Sequence, residues 1–295
     1  MTWHTFIFWV VAFGMGKLKF IEATAVYQPA LDPKSLKSDA CIEALAKFEE
    51  NKRLALGLLA LPGFAFDAAS RWMEASEWAK NQIVGSKAKP EQIQKHVQKI
   101  GPLMEQRMAV LMQRPPEKQK EVLAASTIMF EDFAERCGPT MYGPRENLLR
   151  SVIVQSWLAF EVLSEDLWHG VMDENSTLLT KPKQVKFRSR FWIRTTYTDT
   201  FTADNAALIA VLADTAIDAL ALVRNVIVHK AGNADRDFLT GCQTTPSLSS
   251  FSNLNPKDPI FVDGVVFRSI VADGLTAGYE LIVAVDAWLR ARITS

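Results

Sequence analysis

Arg224, Asn225 and His229 bring a guanidinium, an amide and an imidazole together in the short stretch RNVIVH. An imidazole titrates near neutrality and can take or give a proton at physiological pH. A guanidinium presents a planar fork of donors that suits a phosphate, including the extra charge of a pentacoordinate phosphorus. An amide can orient either group. Asn225 and His229 are four apart and share a helix ridge, which runs back past Ala221 and Leu222 to Asp218 and Asp214. Arg224 lies one ridge over, but its side chain is long enough to reach the same spot. A cation, an amide and an imidazole can thus converge at the end of a helix whose other faces are apolar, and no metal-ligand spacing or cofactor signature accompanies them. Asp214 and Asp218 are taken as supporting residues that orient Arg224 or a dimer partner; plainer roles stay open, since His229 fits a C-terminal cap favoured by the helix dipole and the two aspartates fit solvated helix-face charges.

A second cluster lies upstream. Lys181, Lys183, Lys186, Arg188, Arg190 and Arg194 stand in a stretch without acids, interleaved with Phe187, Phe191, Trp192 and Tyr197. Cations between aromatics suit phosphate contact and base stacking. The same residues also suit a solvated loop whose aromatics plug into a core. Glu161 and Glu165, four apart, could assist a proton transfer or stand as surface carboxylates, and Glu161 is taken as a supporting residue. His169 reads as structural and His96 as solvated.

These residues need a helical frame. Ser38 or Asp39 caps a predicted helix to about Leu61, which Pro62-Gly63 should stop or kink. Helices follow over 67–83, from Pro90 to about Leu111 with a kink at Gly101-Pro102, and over 117–136. Two Gly-Pro pairs in residues 137–145 mark the strongest boundary. Beyond it a long helix is expected from about Glu146 to Val171, with Leu149, Ile153, Trp157, Phe160, Leu163 and Leu167 as its apolar stripe. Residues 173–203 read as irregular. Asp204 then caps a helix to about His229, ended by Ala231-Gly232-Asn233. Residues 240–259 read as a loop, and Asp263-Gly264 between IFV and VVF reads as a β-hairpin turn. A last helix spans 269–291. The expected fold is mainly α, with a small hairpin, divided into a tail (1–34), a helical region of unknown role (35–140) and a C-terminal helical bundle (141–295).

Composition narrows the function classes. The 295 residues are 48% hydrophobic and 22% charged, which excludes global disorder. The formal net charge is zero, which counts against a polybasic nucleic-acid binder and leaves room for a local basic track. Three cysteines, far apart and without a CxxC, read as thiols of a reducing compartment. Residues 6–14 are apolar, but no basic residue precedes them and they are too short to span a bilayer. Leu54 to Phe66 is likewise too short, so no membrane is expected. Met15 offers an alternative start. The expected location is cytoplasmic.

Arg224 to His229 resembles the R-x4-6-H motif of HEPN domains, including the polar residue that often follows the arginine. The resemblance extends more loosely over residues 145–295, through the long helix with Trp157, Phe160 and Glu161, the motif helix and an apolar C-terminal helix. It does not cover residues 1–140. It implies a metal-independent endoribonuclease in which Arg224 and His229 are catalytic and Asn225 supports them. It also implies a homodimer whose two motifs face one cleft, and a toxin or phage-defence role with an antitoxin protein as partner. Other members of the family only bind RNA or protein.

Overall fold

Several helices begin where a side chain accepts from their unpaired first-turn amides. The computed structural model describes residues 30–293 apart from 88, 114–121, 123–124, 127, 131–132, 134–135, 138–141, 178, 181–183 and 203. The Ser38 hydroxyl accepts from the Cys41 amide at 3.3 Å and opens α1 (Asp39–Gly57). Pro62 falls in the first turn of α2 (Leu61–Ile83), where its missing N–H does no harm, so the break expected at Pro62-Gly63 is the junction between α1 and α2. α3 (Pro90–Lys95) and α4 (Val97–Met112) part at His96, while Pro102 lies inside α4. Most of the helix expected over 117–136, part of the Gly-Pro boundary and nearly all of the 1–34 tail lie outside the described residues.

α5 (Tyr142–Asn175) is longer than expected. α6 (Arg190–Thr200), capped by Ser189, occupies a stretch read as irregular. The single helix expected up to His229 is two, α7 (Ala206–Leu212) and α8 (Thr215–His229). The divider is Asp214, whose Oδ1 accepts from the Ala216 amide at 2.7 Å and caps α8. α9 (Arg236–Thr244) replaces part of the loop read over 240–259. The expected hairpin is not formed. Asp263 Oδ1 instead accepts from the Val265 and Val266 amides, each at 2.9 Å, and starts α10 (Gly264–Ile293). Asp-Gly serves a turn or a helix start equally well, and here Phe267, Ile270 and Val271 are buried at helical spacing. The described residues contain no strand, and one isolated bridge joins Asn233 to Pro259.

The helices form two units, 30–59 with 142–293, and 60–141. The bundle that carries the motif is therefore not confined to 141–295, because α1 belongs to it. Its reason is steric fit: a Cβ on Gly170 of α5 would lie 2.7 Å from the Ala40 Cβ, and one on Gly278 of α10 would lie 2.5 Å from the Phe48 ring. Phe48 is 1% exposed and meets Tyr279 edge-on, so its burial contributes about 2–3 kcal/mol. The fully buried Asp286 carboxylate takes the Lys37 and Ser38 amides at 2.9 and 2.8 Å and fastens the segment leading into α1.

In the other unit α2 packs on α4. The buried Arg71 pairs with Asp67 at 2.5 Å and donates to the Leu111 carbonyl at 2.5 Å. Arg107 pairs with Glu74 at 3.0 Å and lies over the Trp78 ring.

By length and composition, Asp39–Ile83 and Ala206–His229 are apolar enough to cross a membrane, a property the runs read from the sequence did not show. In Ala206–His229 the responsible side chains include Ile217, Leu220, Val223 and Val226, all buried in the bundle. In Asp39–Ile83 most of the apolar window is not buried, and Leu54, Leu61 and Phe64 are exposed.

Candidate functional site

The motif sits on the last two turns of α8. Ile217, Leu220, Ala221, Val223 and Val226 face the core, which leaves Arg224 half-buried and Asn225, Val228 and His229 exposed. The helix ends as the glycine predicted. The Lys230 and Gly232 amides both donate to the Val226 carbonyl, at 3.1 and 3.0 Å, with Gly232 at φ +78°. Ile260 then donates to the Gly232 carbonyl at 2.8 Å, and the Ile260 carbonyl accepts from Arg150 Nη2 at 2.8 Å. The end of α8 is thus fixed to α5 and to the segment before α10.

Arg224 Nη1 lies 3.1 Å from His229 Nε2 and donates to Asn225 Oδ1 at 3.0 Å. Arginine has only donors, so Nε2 accepts in this contact and the ring proton sits on Nδ1. Arg224 Nε is buried without a hydrogen-bond partner among the described residues, so the fork has not used all its donors.

Glu161 of α5 is the nearby acid. Burial pushes its carboxyl above the ordinary range. A hydrogen bond from Trp157 and the Arg224 cation oppose that shift, and Glu165 adds to it. Its Oε1 is buried and has no partner among the described residues. Glu161 is thus brought within range of the Arg224 charge.

The aspartates are engaged elsewhere. Asp214 is a cap at the far end of α8, ten residues or about 15 Å of helix from Arg224. Asp218 takes Arg190 Nη1 at 2.6 Å and Arg194 Nη2 at 2.9 Å. Arg194 Nε also donates to the Leu212 carbonyl at 2.5 Å. This triad removes Arg190 and Arg194 from the expected RNA track: they hold α6 to α7 and α8. Lys181 and Lys183 lie outside the described residues. Of the six basic residues, Lys186 and Arg188 remain as exposed cations, with Lys186 Nζ 4.2 Å from the Trp192 ring centroid. Phe187 and Tyr197 are core residues, as the plugging alternative expected, whereas Phe191 is 64% exposed.

Sequence reasoning missed a cleft of about 990 Å³ between α5 and the 185–192 segment. Glu161, Glu165, Trp168 and His169 line one wall, and Lys186, Arg188 and Trp192 line the other. Trp168 is 6% exposed, and its Nε1 has no partner among the described residues. His169 is exposed and 3.9 Å from Glu165, so it is a cleft residue and not a structural one. The available signal was the i, i+4, i+8 spacing of Glu161, Glu165 and His169, which puts all three on one ridge. Among the described residues no group of acids, histidines and cysteines could hold a metal ion. No family model matches this chain, and neither a curated protein nor a solved structure matches it.

Proposed function

We propose that this chain is an endoribonuclease of HEPN type that cleaves by attack of the RNA 2′-OH on the adjacent phosphorus. The observation that carries the reading is the 3.1 Å approach of Arg224 Nη1 to His229 Nε2 at an exposed helix end, with an unused guanidinium donor beside it. The 2′-OH displaces the Arg224 donor from His229 Nε2, which takes the hydroxyl proton as the O2′–P bond forms. The P–O5′ bond breaks, and the 5′-oxygen must gain a proton to leave as a 5′-OH. Arg224 stabilises the charge on the phosphoryl oxygens. The other product is a 2′,3′-cyclic phosphate. A homodimer with two motifs facing one cleft supplies one imidazole for each proton. A toxin or defence effector, held by a protein partner, is the biological setting this chemistry suits.

The test is incubation of the purified chain with total RNA in EDTA, beside Arg224→Ala and His229→Ala. Cleavage by wild type that falls by about 10²–10⁴-fold in both variants supports the reading. RNA cleavage unaffected by His229→Ala sinks it. A fold-intact protein that binds RNA but leaves it whole makes the chain a non-catalytic RNA-binding module instead.

A further inference from the structure

We infer that the cleft beside Glu161 is a nucleobase subsite that selects guanine in the RNA strand. The inference rests on the preceding reading only for its ligand, RNA. Three observations carry it.

The first is unmet hydrogen bonding. Glu161 Oε1 and Trp168 Nε1 are both buried without partners among the described residues, and both residues line the cleft. Buried polar atoms without partners are uncommon in native structures, and each needs a reason. Here one is an acceptor and the other a donor. They come from one face of α5, two turns apart. The helix sets these positions about 10.5 Å apart along its axis, and the Trp168 side chain leans back toward Glu161. A nucleobase edge with both donors and an acceptor can meet both atoms from between them. Guanine does this best: its adjacent N1–H and N2–H groups face a carboxylate while its O6 accepts from an indole N–H. The other three bases offer a carboxylate fewer such donors.

The second is the lining. Leu158, Val185 and the Trp192 ring give the cleft apolar and aromatic walls, which suit the faces of a base. Lys186 and Arg188 stand on the same side and form no ion pair with a described acid, so they are available to a phosphate. Arg190 and Arg194 are spent on Asp218, which limits the phosphate contact to this rim.

The third is continuity with the motif. α5, which carries Glu161, packs on α8, which carries Arg224, and the Arg224 cation acts on the Glu161 carboxyl. A base held by Glu161 therefore places its own flanking phosphate near Arg224, so the cleft sets which phosphodiester the motif meets.

The experiment uses the full chain and mononucleotides that cannot be cleaved. Calorimetric titration with guanosine 3′-monophosphate is compared with the adenosine, cytidine, uridine and inosine 3′-monophosphates, with guanosine and with inorganic phosphate. Guanosine monophosphate should bind most tightly, and inosine monophosphate, which lacks only the N2 amino group, about 3–10-fold more weakly. Trp168→Phe and Glu161→Gln should each cost the guanine ligand about 3–10-fold while leaving inorganic phosphate binding unchanged. Thermal melts show whether either variant has lost its fold. If one has, the inosine comparison in wild type still decides the matter. Equal binding of all the nucleotides, binding that phosphate alone reproduces, or no saturable binding up to ~1 mM overturns the inference. RNA cleavage without preference at guanine also overturns it and leaves the nuclease reading standing. Guanine-selective binding without cleavage does the reverse.

Discussion

Replacing Gly232 by alanine tests how the end of the motif helix is held. Gly232 has φ +78°, and a Cβ built there would lie 2.5 Å from Arg150 Nη1 and 3.0 Å from its Cζ and Nη2. A side-chain tip can usually move aside, but this one is pinned. Arg150 donates to Glu146 Oε1 through Nε and Nη2, at 3.1 and 2.8 Å, and to the Ile260 carbonyl at 2.8 Å. The left-handed backbone alone costs an alanine about 1 kcal/mol. Moving the guanidinium off the Ile260 carbonyl forfeits one charge-assisted hydrogen bond, about 1.5–3 kcal/mol. Gly232→Ala should therefore destabilise the motif-bearing unit by about 2–4 kcal/mol. The assay is a urea titration of wild type, Gly232→Ala, Arg150→Ala and the double variant. In the Arg150→Ala background the same glycine substitution should cost only the backbone strain of about 1 kcal/mol. An equal cost in both backgrounds, or a wild-type cost below about 0.5 kcal/mol, refutes the argument that a pinned guanidinium occupies the space.

Other outcomes follow from burial and charge. Asp286→Ala removes the buried acceptor of the Lys37 and Ser38 amides, so it should destabilise the same unit by about 2–4 kcal/mol in a urea titration. Burial pushes the Cys41 thiol up to about 12 and the Cys242 thiol up to about 11, so iodoacetamide at about pH 8 should label neither until urea unfolds the chain. Desolvation raises the Glu146, Glu161 and Asp273 carboxyls, so the folded state holds their protons more tightly than the unfolded chain. Their contribution to stability is therefore fully present at low pH and is lost as pH rises through the folded values. As pH rises above the ordinary carboxylate range the urea midpoint should fall, and Glu146→Gln, which keeps an acceptor for the Val262 amide, should flatten that slope; equal slopes would count against it. RNA binding should lose its salt sensitivity in Lys186→Ala with Arg188→Ala, and should keep it in Asp218→Asn, because Asp218 serves the fold.

What the sequence made legible was local. Ser38 as a cap, the apolar face of α8 and the glycine that ends it are each decided within a few residues. The convergence of Arg224 and His229 is also local, since one helix carries both. Readings failed where a distant partner decides. Asp263-Gly264 has the composition of a hairpin turn, and only the seat that the core offers Phe267 and Ile270 makes it a helix start. α6 was hidden because its buried face is Ile193, Thr196, Tyr197 and Thr200, with threonine hydroxyls at two of the four positions. The Thr196 hydroxyl bonds the Lys186 carbonyl at 3.0 Å, a contact periodicity cannot announce. Asp218 lies on the motif ridge as expected, yet its charge is taken by α6. The cleft was missed for the same reason, since one of its walls comes from another part of the chain.

The membership of α1 in the motif-bearing bundle also sets the order of events during synthesis. α1 leaves the ribosome long before α5 and α10 exist, because the whole of residues 60–141 is made in between. At about 5–20 residues per second, the surface of α1 that carries Leu45 and Phe48 waits on the order of ten seconds for its partners. Loop-closure entropy rises slowly with length, so the intervening unit makes this pairing late more than it makes it weak. The motif-bearing end of α8 thus acquires its full support only when the last helix of the chain has been translated.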